Sequence, residues 1–255
     1  MFDLQSVSFS IDGKTLLQPI DIQFHQGQVY GLIGHNGSGK STLLKLLARQ
    51  YSANQGQICL DDVPIAQIAA KKFAQHVAYL PQHLPGGENL TGRELIAFGR
   101  YPWQGLFGRK TAEDEAKIEQ AIRLTQTESL VDQLVDTLSG GERQRVWLAM
   151  LLAQNSRFLL LDEPLAALDV AHQADVMALI RHLSRELSLG VIVVIHDINM
   201  AARYCDQLVA LHSGRVLAQG SPQSLMQPET LQSIYGVAMQ VIAHPAGQHP
   251  IAVLA

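Results

Sequence analysis

Gly34-His35-Asn36-Gly37-Ser38-Gly39-Lys40-Ser41 fits the pattern G-x-x-x-x-G-K-[ST], and Thr42 follows it. Small residues at that spacing let successive backbone N–H groups curl around phosphate oxygens, and a helix starting there adds roughly +0.5 of a charge. Lys40 is expected to reach the β- and γ-phosphates of a nucleoside triphosphate. Ser41 is expected to offer its hydroxyl to Mg²⁺, and Thr42 to touch the α-phosphate. A second pair of reactive groups lies downstream, where Asp162 and Glu163 follow the apolar run Phe158–Leu161. Side chains alternate along a strand, so a strand that persisted would send these carboxylates apart. One then serves Mg²⁺, as Asp162 at a strand end would. The other, Glu163, is the candidate general base for the attacking water.

The third group is Ser139-Gly140-Gly141, in LSGGERQR. Ser139 and Glu142 have the spacing of a capping box, so a helix is expected to begin here. Its first two positions are glycines, each costing about 1 kcal/mol relative to alanine inside a helix. Bare amides at a helix start accept an anion closely. The segment therefore reads as a second phosphate-binding element. The residues alone leave open whether the two elements grip one nucleotide or two.

The elements that must hold these groups follow from periodicity. Leu4–Phe9 and Ile20–Phe24 alternate around an Asp12-Gly13 turn signal. Gln28–Ile33 is a continuous apolar run that feeds the glycine loop, as a buried parallel strand does. Val77–Leu80, Phe158–Leu161 and Val191–Ile195 read as further strands, the last ending in His196-Asp197. Strands alternating with helices predict a mainly parallel sheet with its ligand at the strands' C-terminal ends. Gln207–His212 and Arg215–Gln219 flank Ser213-Gly214 as a hairpin. Thr91 and Glu94 form another capping box, and Ile118, Ala121, Ile122 and Thr125 recur at helical spacing. The expected fold is thus α/β, of the P-loop nucleotidase class, with an antiparallel N-terminal portion. A nucleotide-binding core is expected over 1–87 and 156–236, a helical insert over 88–155, and a tail over 237–255.

Bulk properties narrow the partners. The chain has 255 residues, 47% hydrophobic, enough for a sizeable core. Its net charge of −4 argues against a nucleic-acid partner. Cys59 and Cys205 lie in apolar surroundings and read as reduced core thiols. The N-terminus lacks the layout of a signal peptide, and no uncharged apolar run approaches the roughly 20 residues that span a bilayer. Trp103, Leu106 and Phe107 place apolar surface in a Gly-containing stretch, a pattern of partner surfaces. His244 and His249 read as part of a solvated Pro/Gly loop rather than as metal ligands.

GHNGSGKST, LSGGERQ and FLLLDEP together resemble the nucleotide-binding subunits of ATP-binding-cassette (ABC) transporters, over essentially the whole chain. The resemblance implies that ATP and Mg²⁺ are bound and that two copies pair head to tail. Ser139, Gly140 and Gly141 of one copy would then contact the γ-phosphate of ATP held by the other. It implies that Gln82 senses Mg²⁺ and water, that His196 contacts the γ-phosphate, and that Asp169 lies in a loop crossing the dimer interface. Ala166 stands where that loop usually has serine. The family's adenine-stacking aromatic falls near Ile11, which can pack on a base but cannot stack on it. Phe9 is a candidate substitute, although its strand position favours a place in the core.

YLPQHLPGGENLTGRELIAFGRYPWQG and HDINMAARYCDQLVAL resemble ATPases of ferric siderophore, haem and vitamin B12 importers. RYPW, SLVDQLVDTLSGGERQR and HPAG are similar to the ferric-hydroxamate group among them. The implied role is a peripheral subunit at the cytoplasmic face of a bacterial inner membrane. It would dock on polytopic permease subunits, with a substrate-binding protein feeding them. The alternatives are the same role for another iron chelate, haem or vitamin B12, or a soluble, non-transport ABC ATPase.

Overall fold

Asp12 and Gly13 both have positive φ, 49° and 74°. That two-residue geometry matches the twist of paired strands and turns β1 (Phe2–Ile11) back into β2 (Lys14–Phe24). The computed structural model describes residues 1–87, 89–104, 109–166, 168–244 and 249–255. These fall into two compact units, Met1–Gln67 with Gly190–Ala255, and Ile68–Leu189.

In the first unit β1 also pairs antiparallel with β4 (Gln55–Leu60), which pairs with the short β5 (Val63–Pro64). The alternation expected over Leu4–Phe9 is interrupted. Ser6 has φ 49° and the ladder slips there, so Leu4 and Val7, three apart, are both buried. Every residue of β3 (Val29–Ile33) is buried. It leads through the glycine loop into α1 (Lys40–Leu47).

The second unit opens with α2 (Ala70–His76) and β6 (Val77–Leu80), then α3 (Gly92–Phe98), α4 (Tyr101–Gln104) and α5 (Ala112–Thr125). The Thr91–Glu94 box caps α3, and a second box, Thr111–Asp114, caps α5. Next comes α6 (Gly140–Ala153), whose buried residues from Val146 to Ala153 pack against α3 and α5. Finally β7 (Phe158–Leu161) lies parallel to β6, Leu80 opposite Leu161, and α7 (Val170–Glu186) closes the unit.

The chain then returns to the first unit. There β8 (Gly190–Val194) lies parallel to β3, α8 (Ile198–Tyr204) follows, and β9 (Gln207–His212) lies parallel to β3 on its other side. Ser213 and Gly214, again both at positive φ, turn β9 into antiparallel β10 (Arg215–Gly220). Beyond α9 (Pro222–Leu225) and α10 (Pro228–Tyr235), β11 (Met239–Ile242) pairs with β12 (Ile251–Leu254).

Candidate nucleotide site

In the first unit the phosphate loop is shaped by contacts that only glycine permits. Gly34 has φ 136°, and a Cβ there would come within 2.1 Å of the Leu211 carbonyl oxygen on β9. Gly39, at φ 107°, caps α1 with a Cβ direction filled by Leu17 Cδ2 at 2.7 Å. Its backbone neighbours hold the loop from outside: Gly214 N donates to the Ser38 carbonyl at 3.0 Å, and Gln18 N donates to the Gly214 carbonyl at 2.8 Å. No side chain caps α1 and no acidic residue occupies its first turn, so its positive pole is not neutralised from within the helix. Lys40 is buried and its Nζ donates to the carbonyls of Gly34 (2.8 Å) and His35 (2.9 Å). The ammonium thus lies along the inside of the arc. Asn36 and Gly37 are exposed, Ser41 and Thr42 half-buried, and Ser38 fully buried with a hydroxyl that has no hydrogen-bond partner. His35 meets His212 edge to face, ring centroids 4.7 Å apart. His196 is exposed just beyond β8, and the next residue, Asp197, accepts from the amides of Asn199 (2.7 Å) and Met200 (3.1 Å) to start α8.

The second unit holds the carboxylates. Asp162 N donates to the Leu80 carbonyl at 3.0 Å, which extends the parallel pairing by one residue. That residue is 1% exposed, with the Tyr79 hydroxyl 3.5 Å from Oδ2. The strand does not persist as the alternation argument required: β7 ends at Leu161 and Glu163 has φ 49°. The turn nonetheless separates the two carboxylates. Asp162 stays inside, and half-buried Glu163 accepts from Gln82 Nε2 at 2.7 Å. Neither caps α7; Asp169 does. Gln82, Glu163, Gly140, Arg143 and Gln144 line one cavity of about 450 Å³ within this unit.

The Ser139–Glu142 capping box forms as its spacing predicts. The Ser139 hydroxyl and amide both donate to the Glu142 carboxylate, at 2.6 and 3.0 Å, and the Glu142 amide donates back to Ser139 Oγ at 3.4 Å. The hydroxyl and the amide of Ser139 hold that carboxyl below its ordinary pKa. The hydroxyl is therefore engaged, while amides at first helical positions have no partner along the helix. Sequence spacing missed His172. Its ring lies against Gly141, whose Cβ would sit 2.8 Å from Cδ2, and its Nδ1 pairs with Asp169 Oδ2 at 2.8 Å. The signal was present: a histidine three residues after an aspartate at a helix start can bond the cap.

Other expected residues fall as follows. Ile11 is 46% exposed at the β1–β2 turn. Phe9 is buried and stacks on Tyr51 with centroids 4.9 Å apart, so its ring is core. Cys59 and Cys205 are buried and form no disulfide. Trp103 Nε1 donates to the Gln154 carbonyl at 2.7 Å. Leu106, Phe107 and Pro245–Gln248 lie outside the described residues. Among the described residues no cluster of three or more His, Cys, Asp or Glu could hold a metal ion.

A glycine loop whose amides and lysine suit phosphate, in a chain that also carries carboxylates at strand ends, is the residue set of a nucleoside-triphosphate hydrolase. This defines the chain's class as a P-loop, ATP-hydrolysing cassette. It belongs to the ABC transporter family, whose family model matches residues 17–166. It is 40% identical to the ferric enterobactin transport ATP-binding protein FepC of Escherichia coli (strain K12), over 94% of this chain and 88% of that one. It is 36% identical to the iron(3+)-hydroxamate import ATP-binding protein FhuC of Bacillus subtilis (strain 168), over 93% and 88%. The fold also matches a dimeric bacterial ABC transporter cassette, MJ0796, with TM-score 0.74 and 24% identity over 87% of this chain and 99% of that one.

Proposed function

We propose that this chain is the ATP-hydrolysing subunit that energises import of a ferric siderophore, of the hydroxamate type, through separate membrane subunits. The observation that carries the ATPase half is Glu163, held by Gln82 on the wall of the cavity that Gly140 also lines. The cargo half rests on the similarity to the enterobactin and hydroxamate ATPases and on the RYPW and HPAG segments.

Two copies pair head to tail. Each ATP is held by Gly34–Thr42 of one copy and by the Ser139–Gly141 helix start of the other, with Asp169 at the interface and Ile11 against the base. Lys40 and His196 stabilise the γ-phosphate, and Glu163 accepts the proton of the attacking water, placed by Gln82. Closing the pair moves the insert over 88–155 and, through it, the membrane subunits; loss of the γ-phosphate reopens it. Ser41, Asp162 and Gln82 offer only oxygen donors, which suits Mg²⁺, an ion that keeps waters and phosphate oxygens among its ligands. When bound, Mg²⁺ supplies positive charge to the phosphates.

The surface around Gln82 and residues 88–107 receives a short segment of a permease subunit. The chain then works at the cytoplasmic face of a bacterial inner membrane, fed indirectly by a substrate-binding protein. Among the described residues no helix is long and apolar enough to cross a membrane. The test is uptake of radio-iron by cells lacking the chain. Ferric-hydroxamate uptake should be lost and should return with the wild-type chain but not with Glu163→Gln. Intact hydroxamate uptake with lost catecholate uptake would reassign the cargo. Intact uptake of every chelate would refute the import role.

A further inference from the structure

We propose that His172 is a positioning residue for the helix start that grips the partner's nucleotide. This inference rests on the head-to-tail reading given above. Three observations place it. The Asp169 carboxylate takes His172 at two points: Oδ1 accepts its amide at 3.0 Å and Oδ2 meets its Nδ1 at 2.8 Å. With Nδ1 bonded to that carboxylate, the ring is fixed about its own axis. The other side of the ring covers Gly141, where an added Cβ would lie 2.8 Å from Cδ2, 3.3 Å from Cγ and 3.4 Å from Nε2. Gly141 is buried although Gly140 beside it is exposed.

Gly141 therefore has a structural reason beyond leaving an amide bare: any side chain there meets the imidazole. In return, the imidazole limits how the first turn of α6 can tilt. The loop before α7 is braced as well, because Gln173 Nε2 donates to the carbonyls of Leu165 (3.2 Å) and Leu168 (3.0 Å). Asp169, His172 and Gly141 thus form one block, joining the loop assigned to the dimer interface with the helix start assigned to phosphate. Among the residues expected at the nucleotide or the dimer interface His172 touches Gly141 and Asp169, and it reaches the nucleotide only through them. It acts by register: when Asp169 seats on the partner, the amides of Gly140 and Gly141 arrive in step.

The experiment uses the full chain in a Glu163→Gln background, where ATP accumulates the closed dimer. Dimer formation is followed by light scattering against ATP concentration, and ATP binding by the dilute monomer is measured separately. Adding His172→Ala should raise the ATP concentration for half-dimerisation at least tenfold and leave monomer binding within twofold. His172→Asn, which retains a donor for Asp169, should recover part of the loss; His172→Leu, which fills space without a donor, should not. Unchanged dimerisation by His172→Ala overturns the proposal. So does equal loss of monomer binding, which would make His172 a folding residue, and so does full recovery by His172→Leu. If Glu163→Gln alone stays monomeric at saturating ATP, the head-to-tail reading fails, and this inference fails with it.

Discussion

Gln82 Nε2 donates to Glu163 Oε2 across 2.7 Å. The bond joins the second residue after β6 to the second residue after β7, which sits in a left-handed backbone position (φ 49°). An amide donor held to the carboxyl group sets its orientation. Glu163→Gln should lower ATP turnover by about 10²–10⁴-fold, the usual worth of a positioned general base, with ATP affinity retained. Gln82→Ala should lower kcat less, because the base survives unheld. Steady-state turnover beside nucleotide binding separates the two. A normal kcat in Glu163→Gln would remove Glu163 from the chemistry.

Lys40 is buried against two carbonyls of its own loop, at 2.8 and 2.9 Å. For an ammonium, charged phosphate oxygens are stronger acceptors than neutral carbonyls. Lys40→Ala should weaken ATP binding at least about a hundredfold, the roughly 3 kcal/mol that a charge-assisted bond can contribute. Fluorescence titration with a labelled nucleotide measures it, and unchanged affinity would take Lys40 out of the site.

Two loop glycines should behave differently. A Cβ at Gly34 meets the Leu211 carbonyl at 2.1 Å, and that oxygen belongs to a buried strand. A Cβ at Gly37 meets nothing within 4 Å, although φ is 77°. Gly37→Ala should cost only the left-handed penalty, roughly 1–2 kcal/mol. Gly34→Ala adds a backbone clash, and should lower the thermal midpoint clearly further and abolish nucleotide binding. Equal midpoints for the two variants would contradict the packing.

Much of this was legible before folding because the active groups sit at the ends of short, bounded apolar runs. Val77–Leu80 and Phe158–Leu161 are the strands the sequence pattern predicts, so Gln82, Asp162 and Glu163 could be placed at their exits. The capping box at Ser139 was equally local. What the pattern hid depends on distant partners. The bulge at Ser6 answers to two neighbouring strands, and His172 over Gly141 joins residues about thirty positions apart. The tail over 237–255 carries little pattern of its own because β11 and β12 are only four residues each. Part of their anchoring is remote: the Asn199 side chain on α8 bonds both the N–H (2.7 Å) and the C=O (3.0 Å) of Ala252.

Trp103 is 38% exposed, with its indole N–H tied to Gln154 and the Arg100 guanidinium 5.1 Å from its ring centroid. The ring is held in place yet still presents apolar surface, and Phe98 and Tyr101 in the same stretch are more exposed. A fixed aromatic face of this kind fits a partner better than it fits solvent. Trp103→Asp should reduce co-purification with the membrane subunits severalfold and leave ATP binding by the isolated chain unchanged. Full recovery of the membrane partners with this variant would remove Trp103 from the docking surface.

Arg100 and Asp114 form a buried ion pair at 2.8 Å, side chains 2% and 4% exposed. Arg100 also donates to the Ala153 carbonyl at 2.8 Å, and Asp114 accepts from the Thr111 amide at 2.9 Å, so the pair joins the starts of α4 and α5 to the end of α6. Burial by itself would raise the Asp114 pKa. The Thr111 amide, the Arg100 guanidinium and the Thr111 hydroxyl outweigh it and hold the carboxyl at about 2, against 3.8 unperturbed. A pKa lowered by folding means the folded state favours the ionised form. That stabilisation is complete above about pH 5 and fades as pH falls through 3.8 toward 2. Asp114→Asn removes it and leaves a buried guanidinium without its counter-charge, a loss of about 3–5 kcal/mol near neutrality. The gap between wild type and variant should then narrow by about 1 kcal/mol between pH 6 and pH 3, because the wild type alone loses this linkage. Urea unfolding of both proteins across that range checks the sign, and a gap that stays constant or widens toward acid would show that Asp114 is not the group being titrated.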